Sequence, residues 1–289
     1  MEAGDPSVFI VGTQRSGTTL LCRMLSAHPD LFIQNELNVR RMFAPGWQKA
    51  EILAAIEQLI QDDHSRGLDS LLAESGKSQW GLKDPELTNH LPELEVFLPD
   101  TKFVFIIRDG RAVASSYIEN RWGLGTNVYT GALRWRSEVE RQLSFHERHP
   151  GDVYVLKYED LILETERELR GVMDFLGRPF DPGMLSYNEK PASYHPTREN
   201  LHTYRQPDMR LADKWRRKLT QRQQAIIETV AGDTLRRVGY ACEHQLVQLG
   251  ELEKTYYRLH QKVVGELQLQ YRWRSNAIRE HFRKKALAR

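Results

Sequence analysis

Residues 7–29 read SVFIVGTQRSGTTLLCRMLSAHP. The opening run is β-branched and aromatic and ends in Gly12, while Leu20, Leu21, Met24 and Leu25 return at helical spacing, so the stretch reads as strand, turn and helix. The turn carries glycines at 12 and 17 in a G-x-x-x-x-G pattern followed by Thr18 and Thr19. In this setting the backbone N–H groups of the turn and the positive end of the helix form a cradle for a phosphate, and the glycines let the backbone approach it closely. Ser16, Gly17, Thr18 and Thr19 are therefore candidate phosphate-binding residues. Thr18 stands where a nucleoside-triphosphate site places its lysine, so the main cation for β- and γ-phosphates is missing. A donor with less charge beyond its 5′-phosphate is expected instead, with Arg15 supplying a bidentate cation from inside the loop.

Downstream, residues 31–33, 80–82, Lys102–Ile107 and Val153–Lys157 are short apolar runs. Helical patterns stand between them, over 49–60, 68–73, 87–98, from Gly110 onward and over 158–176. Buried strands alternating with helices predict an α/β fold, a P-loop-type parallel sheet flanked by helices on both faces. A helix is expected over 221–238. Residues 188–207 are rich in Pro, His, Asn and Tyr and lack periodicity, the pattern of a long loop. The reading divides the chain into a catalytic domain over 1–244 and an amphipathic, basic helical tail over 245–289. The tail's apolar stripe, Leu249, Leu252, Tyr256, Leu259, Val263 and Leu267, suits packing on the domain, a homodimer or peripheral contact with a membrane surface.

The 289 residues are long enough for a full core, and 41 Lys+Arg against 39 Asp+Glu leave a charge of +2, which speaks against a general nucleic-acid binder. Cys22 and Cys242 are the only cysteines, so neither a disulfide framework nor a metal-binding cysteine cluster is expected. No run is long enough to span a membrane and no leader is legible, which together predict a cytoplasmic protein.

Further candidates surround the loop. Arg108 follows the buried strand Lys102–Ile107, with Ser116 and Arg121 on the turns beyond, and the three could gather around a second phosphate. Ligands bind at strand C-termini in such sheets, so this group and the glycine loop can address one molecule.

Taken in order, these motifs resemble the sulfotransferases that use 3′-phosphoadenosine 5′-phosphosulfate (PAPS), and most of all the tyrosylprotein sulfotransferases and their bacterial relatives. QRSGTTLL, residues 14–21, is similar to the family's 5′-phosphosulfate loop. RDGRAVASSY, residues 108–117, resembles its 3′-phosphate motif through Arg108 and Ser116. The family's next arginine falls at Asn120, and Arg121 is the neighbouring substitute. HPDLFIQNE resembles the segment ending in the catalytic glutamate, here Glu36, and GLKDPEL the one carrying the catalytic lysine, here Lys83. Tyr158 in LKYEDL and Lys214 in ADKWRRKL sit at family-like positions.

The resemblance implies in-line sulfuryl transfer from PAPS, without a metal, to an acceptor hydroxyl of a peptidyl tyrosine, a carbohydrate or a small molecule. Glu36 would be the base, and Lys83 and Arg15 would stabilise the leaving phosphate. The plainer alternatives pair Glu36 with Arg40 and Lys83 with Asp84 or Glu86. At the level of the whole chain, the alternatives are a kinase or NTPase with a displaced lysine, holding magnesium on Asp109 or Asp160, and a non-catalytic nucleotide-binding scaffold. His28 precedes Pro29 and reads as a helix terminator rather than a base.

Overall fold

Five parallel strands form the sheet: β1 (Val8–Gly12), β2 (Leu31–Asn35), β3 (Gln79–Lys83), β4 (Lys102–Ile107) and β5 (Val153–Lys157), in the order β2-β3-β1-β4-β5. They belong to a computed structural model that describes residues 4–190 and 201–287. Its helices are α1 (Thr18–Ser26), α2 (Lys49–His64), α3 (Leu68–Ser75), α4 (Leu91–Leu94), α5 (Gly110–Asn120), α6 (Val128–Arg148), α7 (Tyr158–Leu163), α8 (Thr165–Phe175), α9 (Met209–Ala212), α10 (Lys214–Lys218), α11 (Gln221–Arg237) and α12 (Glu251–Leu287). The chain divides into two compact units, Met1–Arg108 with Glu138–Leu211, and Asp109–Ser137 with Ala212–Arg289.

The first unit contains the whole sheet. Its register places Phe9, Phe103 and Val153 side by side, with Leu82 and Trp80 continuing the same face. That face is buried with Ile52, Ile56, Ile60 and Leu68 from α2 and α3 and with Phe145. The alternate residues, Val8, Ile10, Val104 and Ile106, are fully buried on the other face. There α1 packs across β1, β2 and β3, burying Leu21, Met24 and Leu25. Strands covered on both sides account for the near-continuous apolar runs in the sequence. The α/β class, the parallel sheet and its flanking helices are thus as read from the sequence.

Strand order reverses at β1, whose neighbours are β3 on one side and β4 on the other. A crevice at the C-terminal ends of β1 and β4 follows from that reversal. The glycine loop and Arg108 both lie there.

Three local departures have simple causes. The helix expected over 87–98 is interrupted: Pro85–Asn89 and Glu95–Phe97 are 3₁₀ turns around the single turn α4, because His90 leaves helical geometry and Pro92 starts afresh without an N–H to donate. The helix expected over 158–176 breaks at Glu164 into α7 and α8. Beyond α5, Arg121 takes a left-handed conformation and Gly123 another, which ends that helix before α6 begins.

The second unit is built on α5, α10, α11 and α12. Arg111 is buried there, held by Asp109 and by Glu228 at 2.7 Å and stacked over Trp215 at 4.4 Å. The tail is a single helix, α12. Of the expected loop over 188–207, residues 191–200 lie outside the described residues, as do the side chains of Arg279, Arg283, Lys284, Lys285 and Arg289 in the basic stretch. Among the described residues, no helix is long and apolar enough to cross a membrane.

Candidate active site

The loop between β1 and α1 is a tight turn in which Ser16 N–H donates to Thr13 O at 3.1 Å. A Cβ on Gly12 would lie 2.5 Å from Ser16 Oγ and 2.7 Å from Ile106 O. At Gly17, φ is +100° and a Cβ would run into the Tyr158 ring, so both glycines are required by the turn. Gly17 begins α1 without a side-chain cap, leaving the first N–H groups of the helix for another partner. Ser16 Oγ and Thr13 Oγ1 are buried and make no hydrogen bond to any described residue. Uncapped N–H groups, two unsatisfied hydroxyls and a backbone that admits no side chain together fit an anionic phosphate.

Glu36 and Lys83 meet beside this loop, although 47 residues separate them. The β2–β3 register sets Asn35 opposite Lys83, and Glu36 N–H extends the ladder by donating to Lys83 O at 2.7 Å. Strand alternation points Lys83 to the α1 face of the sheet. Its fully buried ammonium donates to Glu36 Oε1 at 2.6 Å and to Thr19 Oγ1 at 3.2 Å. Glu36 and Lys83, for which the sequence alone suggested local partners, form a direct ion pair. The Glu36 side chain keeps 53% of its surface exposed, so one end of the pair faces solvent and the other the core.

Arg15 and Glu36 also share a backbone feature. Four described non-glycine residues have positive φ; Ser65 and Arg121 are helix C-caps, for which that conformation is ordinary, leaving Arg15 at 72° and Glu36 at 45°. Left-handed residues outside caps store strain of about 1–3 kcal/mol and cluster at functional sites.

Asp84, which the sequence offered only as a local partner for Lys83, organises the site through the backbone instead. It is buried, and its two oxygens accept from Leu37 N–H at 3.1 Å and Glu86 N–H at 2.8 Å, tying the Glu36 loop to the 3₁₀ turn. From that turn Glu86 accepts from Gln14 Nε2 at 2.8 Å and Thr88 Oγ1 donates to Gly12 O at 3.3 Å. Gln142 of α6 donates in turn to Thr88 Oγ1 at 2.9 Å. The segment KDPELT thus braces both the phosphate loop and Glu36. These ties join residues far apart in sequence, beyond the reach of any local pattern.

Burial pushes the Asp84 carboxyl up to about 7, the charge of Glu36 adding to the rise and that of Lys83 opposing it. The folded chain then holds this proton to higher pH than the unfolded chain, whose aspartates titrate near about 4. Asp84's contribution to stability is complete below that value and is lost as pH rises towards 7. Urea unfolding of Asp84→Asn between these limits should show a flatter pH dependence than the parent; parallel curves would contradict this.

Arg108 lies at the end of β4, its guanidinium 4.4 Å over the Tyr158 ring, donating to Arg15 O at 3.2 Å and Leu211 O at 3.0 Å. Arg15, Arg108 and Tyr158 are thereby assembled around the loop. In the second unit, Ser116 accepts from Asn120 Nδ2 at 3.1 Å. Arg121 sits past the end of α5 rather than on it. Lys214 shares Glu119 with Lys218, at 2.9 and 2.6 Å. His28 is buried, with Nε2 3.1 Å from Pro179 O and Nδ1 accepting from Asp30 N–H at 3.2 Å, which are structural contacts.

The parallel sheet, its crossover helices and the lysine-free glycine loop define a P-loop-type α/β protein. A profile of the sulfotransferase family matches residues 6–182, and the chain belongs to that family. It is similar to a Caenorhabditis briggsae protein provisionally named a protein-tyrosine sulfotransferase, 30% identical over 193 residues that cover 63% of this chain and 69% of that protein. It is also similar to protein-tyrosine sulfotransferase A of Caenorhabditis elegans, 27% identical over 64% of this chain and 53% of the relative. Protein-tyrosine sulfotransferase 1 of Homo sapiens is 29% identical over 64% and 54%. The chain thus spans just over half the length of the last two. Among solved structures, the sulfotransferase domain from the curacin biosynthetic pathway shares the fold with a TM-score of 0.59 at 21% identity, over 84% of this chain and all of that domain. The sulfotransferase domain of the Synechococcus PCC 7002 olefin synthase does so with 0.53 at 21% identity, over 79% and 95%.

Proposed function

We propose that this chain transfers a sulfuryl group from PAPS to an acceptor hydroxyl, with Glu36 as general base. The observation that carries this reading is the Lys83 ammonium, which touches Glu36 and the Thr19 hydroxyl at once. A carboxylate and an ammonium thus lie together beside the glycine loop, which supports these two roles.

In the proposed reaction the acceptor oxygen forms a bond to sulfur as the bond from sulfur to the 5′-phosphate oxygen breaks. Glu36 takes the hydroxyl proton. Lys83 and Arg15 stabilise the negative charge that grows on the leaving phosphate oxygen, while Ser16, Gly17 and the Thr18 and Thr19 hydroxyls hold the phosphate in line. The unsatisfied Ser16 and Thr13 hydroxyls support this placement. No step calls for a metal ion.

Arg108 is proposed to read the 3′-phosphate, supported by its place at the end of β4 next to the loop, and Tyr158 to flank the nucleotide with the ring that covers Gly17. Ser116, Arg121 and Lys214 are carried as donor contacts on their sequence motifs alone. Arg108→Ala should weaken binding of 3′-phosphoadenosine 5′-phosphate by about tenfold or more, the size of a lost charge-assisted bond, and leave AMP nearly unchanged. Equal losses for both nucleotides in calorimetry would remove Arg108 from the 3′ site. Among hydroxyl acceptors, peptidyl tyrosine is the one to assay first, because the relatives are named for it.

A further inference from the structure

Helix α12 has two unlike faces within the second unit. On one, Tyr257 stacks on Tyr129 with centroids 5.7 Å apart, and Gln261 accepts from Thr126 N–H at 2.8 Å and donates to Gly123 O at 2.6 Å. Gln268 accepts from Gly123 N–H at 3.0 Å, and Arg272 lies 4.4 Å over the Trp122 ring. These contacts recur at spacings of four and seven residues, along one face, and fix the helix in place. The opposite face carries Leu252, Tyr256, Leu259, Val263, Leu267 and Tyr271, one per turn, with 51–89% of their surfaces exposed. Single exposed apolar residues are common, but an unbroken stripe along five turns marks an interaction surface.

We propose that this stripe is the contact surface for a second copy of the chain, two α12 helices pairing antiparallel about a two-fold axis between Val263 and Leu267. The four central residues, Leu259, Val263, Leu267 and Tyr271, are self-complementary about that point, as a two-fold interface requires. Val263 meets the partner's Leu267 and Leu259 meets the partner's Tyr271, while Lys262 lies within one turn of the partner's Glu266 along the flank of the pair, each contact occurring twice.

Size and charge select this occupant. With full side-chain areas of roughly 150–250 Å², the exposed fractions of these six residues and of Trp273, at 57%, leave on the order of 900 Å² per copy, against about 800 Å² per partner in a standard interface. From Glu251 to Tyr271 the helix has three acids (Glu251, Glu253, Glu266) and three bases (Lys254, Arg258, Lys262), so the stripe has no electrostatic pull towards an anionic lipid surface. From residue 272 to the end stand seven Lys or Arg and one acid, Glu280. Parallel pairing would bring two such basic ends together; antiparallel pairing sets them at opposite ends of the dimer.

Sedimentation of the full chain at micromolar concentration should give a dimer. Leu259→Glu combined with Val263→Glu should raise its dissociation constant by about 100-fold or more while leaving the far-UV circular dichroism of the folded chain unchanged, since both side chains are exposed in the single chain. Lys262→Glu and Glu266→Lys should each weaken the dimer, and the two together should restore it, an outcome that a fault in folding could not mimic. A monomer throughout, a dimer indifferent to the double substitution, or a monomer that co-sediments with phosphatidylcholine–phosphatidylserine vesicles would each overturn the proposal. Oligomeric state is read without turnover, so this test stands apart from the proposed activity.

Discussion

Glu36→Gln is expected to lower turnover by about two orders of magnitude or more, the range for loss of a general base, while the affinity for 3′-phosphoadenosine 5′-phosphate changes little. The substitution keeps the shape of the side chain and its carbonyl oxygen as an acceptor for Lys83, whose ammonium now sits 2.6 Å away. What disappears is the capacity to accept the acceptor's proton. The left-handed backbone at Glu36 and its ladder bond to Lys83 O belong to the main chain and survive the change. Turnover close to that of the parent would remove Glu36 as the base and leave the pair a structural contact.

The second large effect is expected for Lys83→Met. Lys83 contributes in two ways, by placing Glu36 and by offsetting charge on the leaving phosphate oxygen. Removing one preorganised group of that kind costs about 10²–10³ in kcat. Stability should change little. The Lys83 side chain is fully buried, and burying an ammonium carries a desolvation penalty that a methionine of similar length does not. Glu36, half exposed, finds water when its partner is removed. Thermal unfolding within a few degrees of the parent, together with the loss of turnover, is the expected pair of results. A variant that loses turnover because it no longer unfolds cooperatively would instead assign Lys83 to the core.

The fold was legible wherever one local signal governed: β1 and β4 as apolar runs, and the glycine turn between β1 and α1. Misreadings fell where a single residue interrupts a good pattern, as at His90 and Glu164, or where α5 and α6 succeed one another across a short glycine-bearing turn. The site was legible in a different way. The loop follows from spacing and backbone chemistry alone. Glu36 and Lys83, by contrast, become neighbours only through the β2–β3 register, and residue chemistry by itself favoured local partners; the family resemblance carried the pair. Asp84 illustrates the remainder. It was read as a partner for Lys83 because it is adjacent in sequence, but strand alternation turns the two side chains apart, and Asp84 serves the backbone of Leu37 and Glu86. Thr88 and Gln142 lie beyond any local pattern, since the hydrogen bond between them joins a 3₁₀ turn to a helix 54 residues away.

The replacement of the loop lysine by Thr18 makes one measurement the most direct test of a 3′-phosphorylated sulfuryl donor. Calorimetric titration of the full chain with 3′-phosphoadenosine 5′-phosphate, ADP and ATP, each with and without magnesium, should show clear preference for the 3′-phosphorylated ligand and no dependence on the metal. Preference for ATP in the presence of magnesium would contradict the account, making the loop a triphosphate cradle and leaving the Glu36–Lys83 pair without a sulfuryl group to transfer.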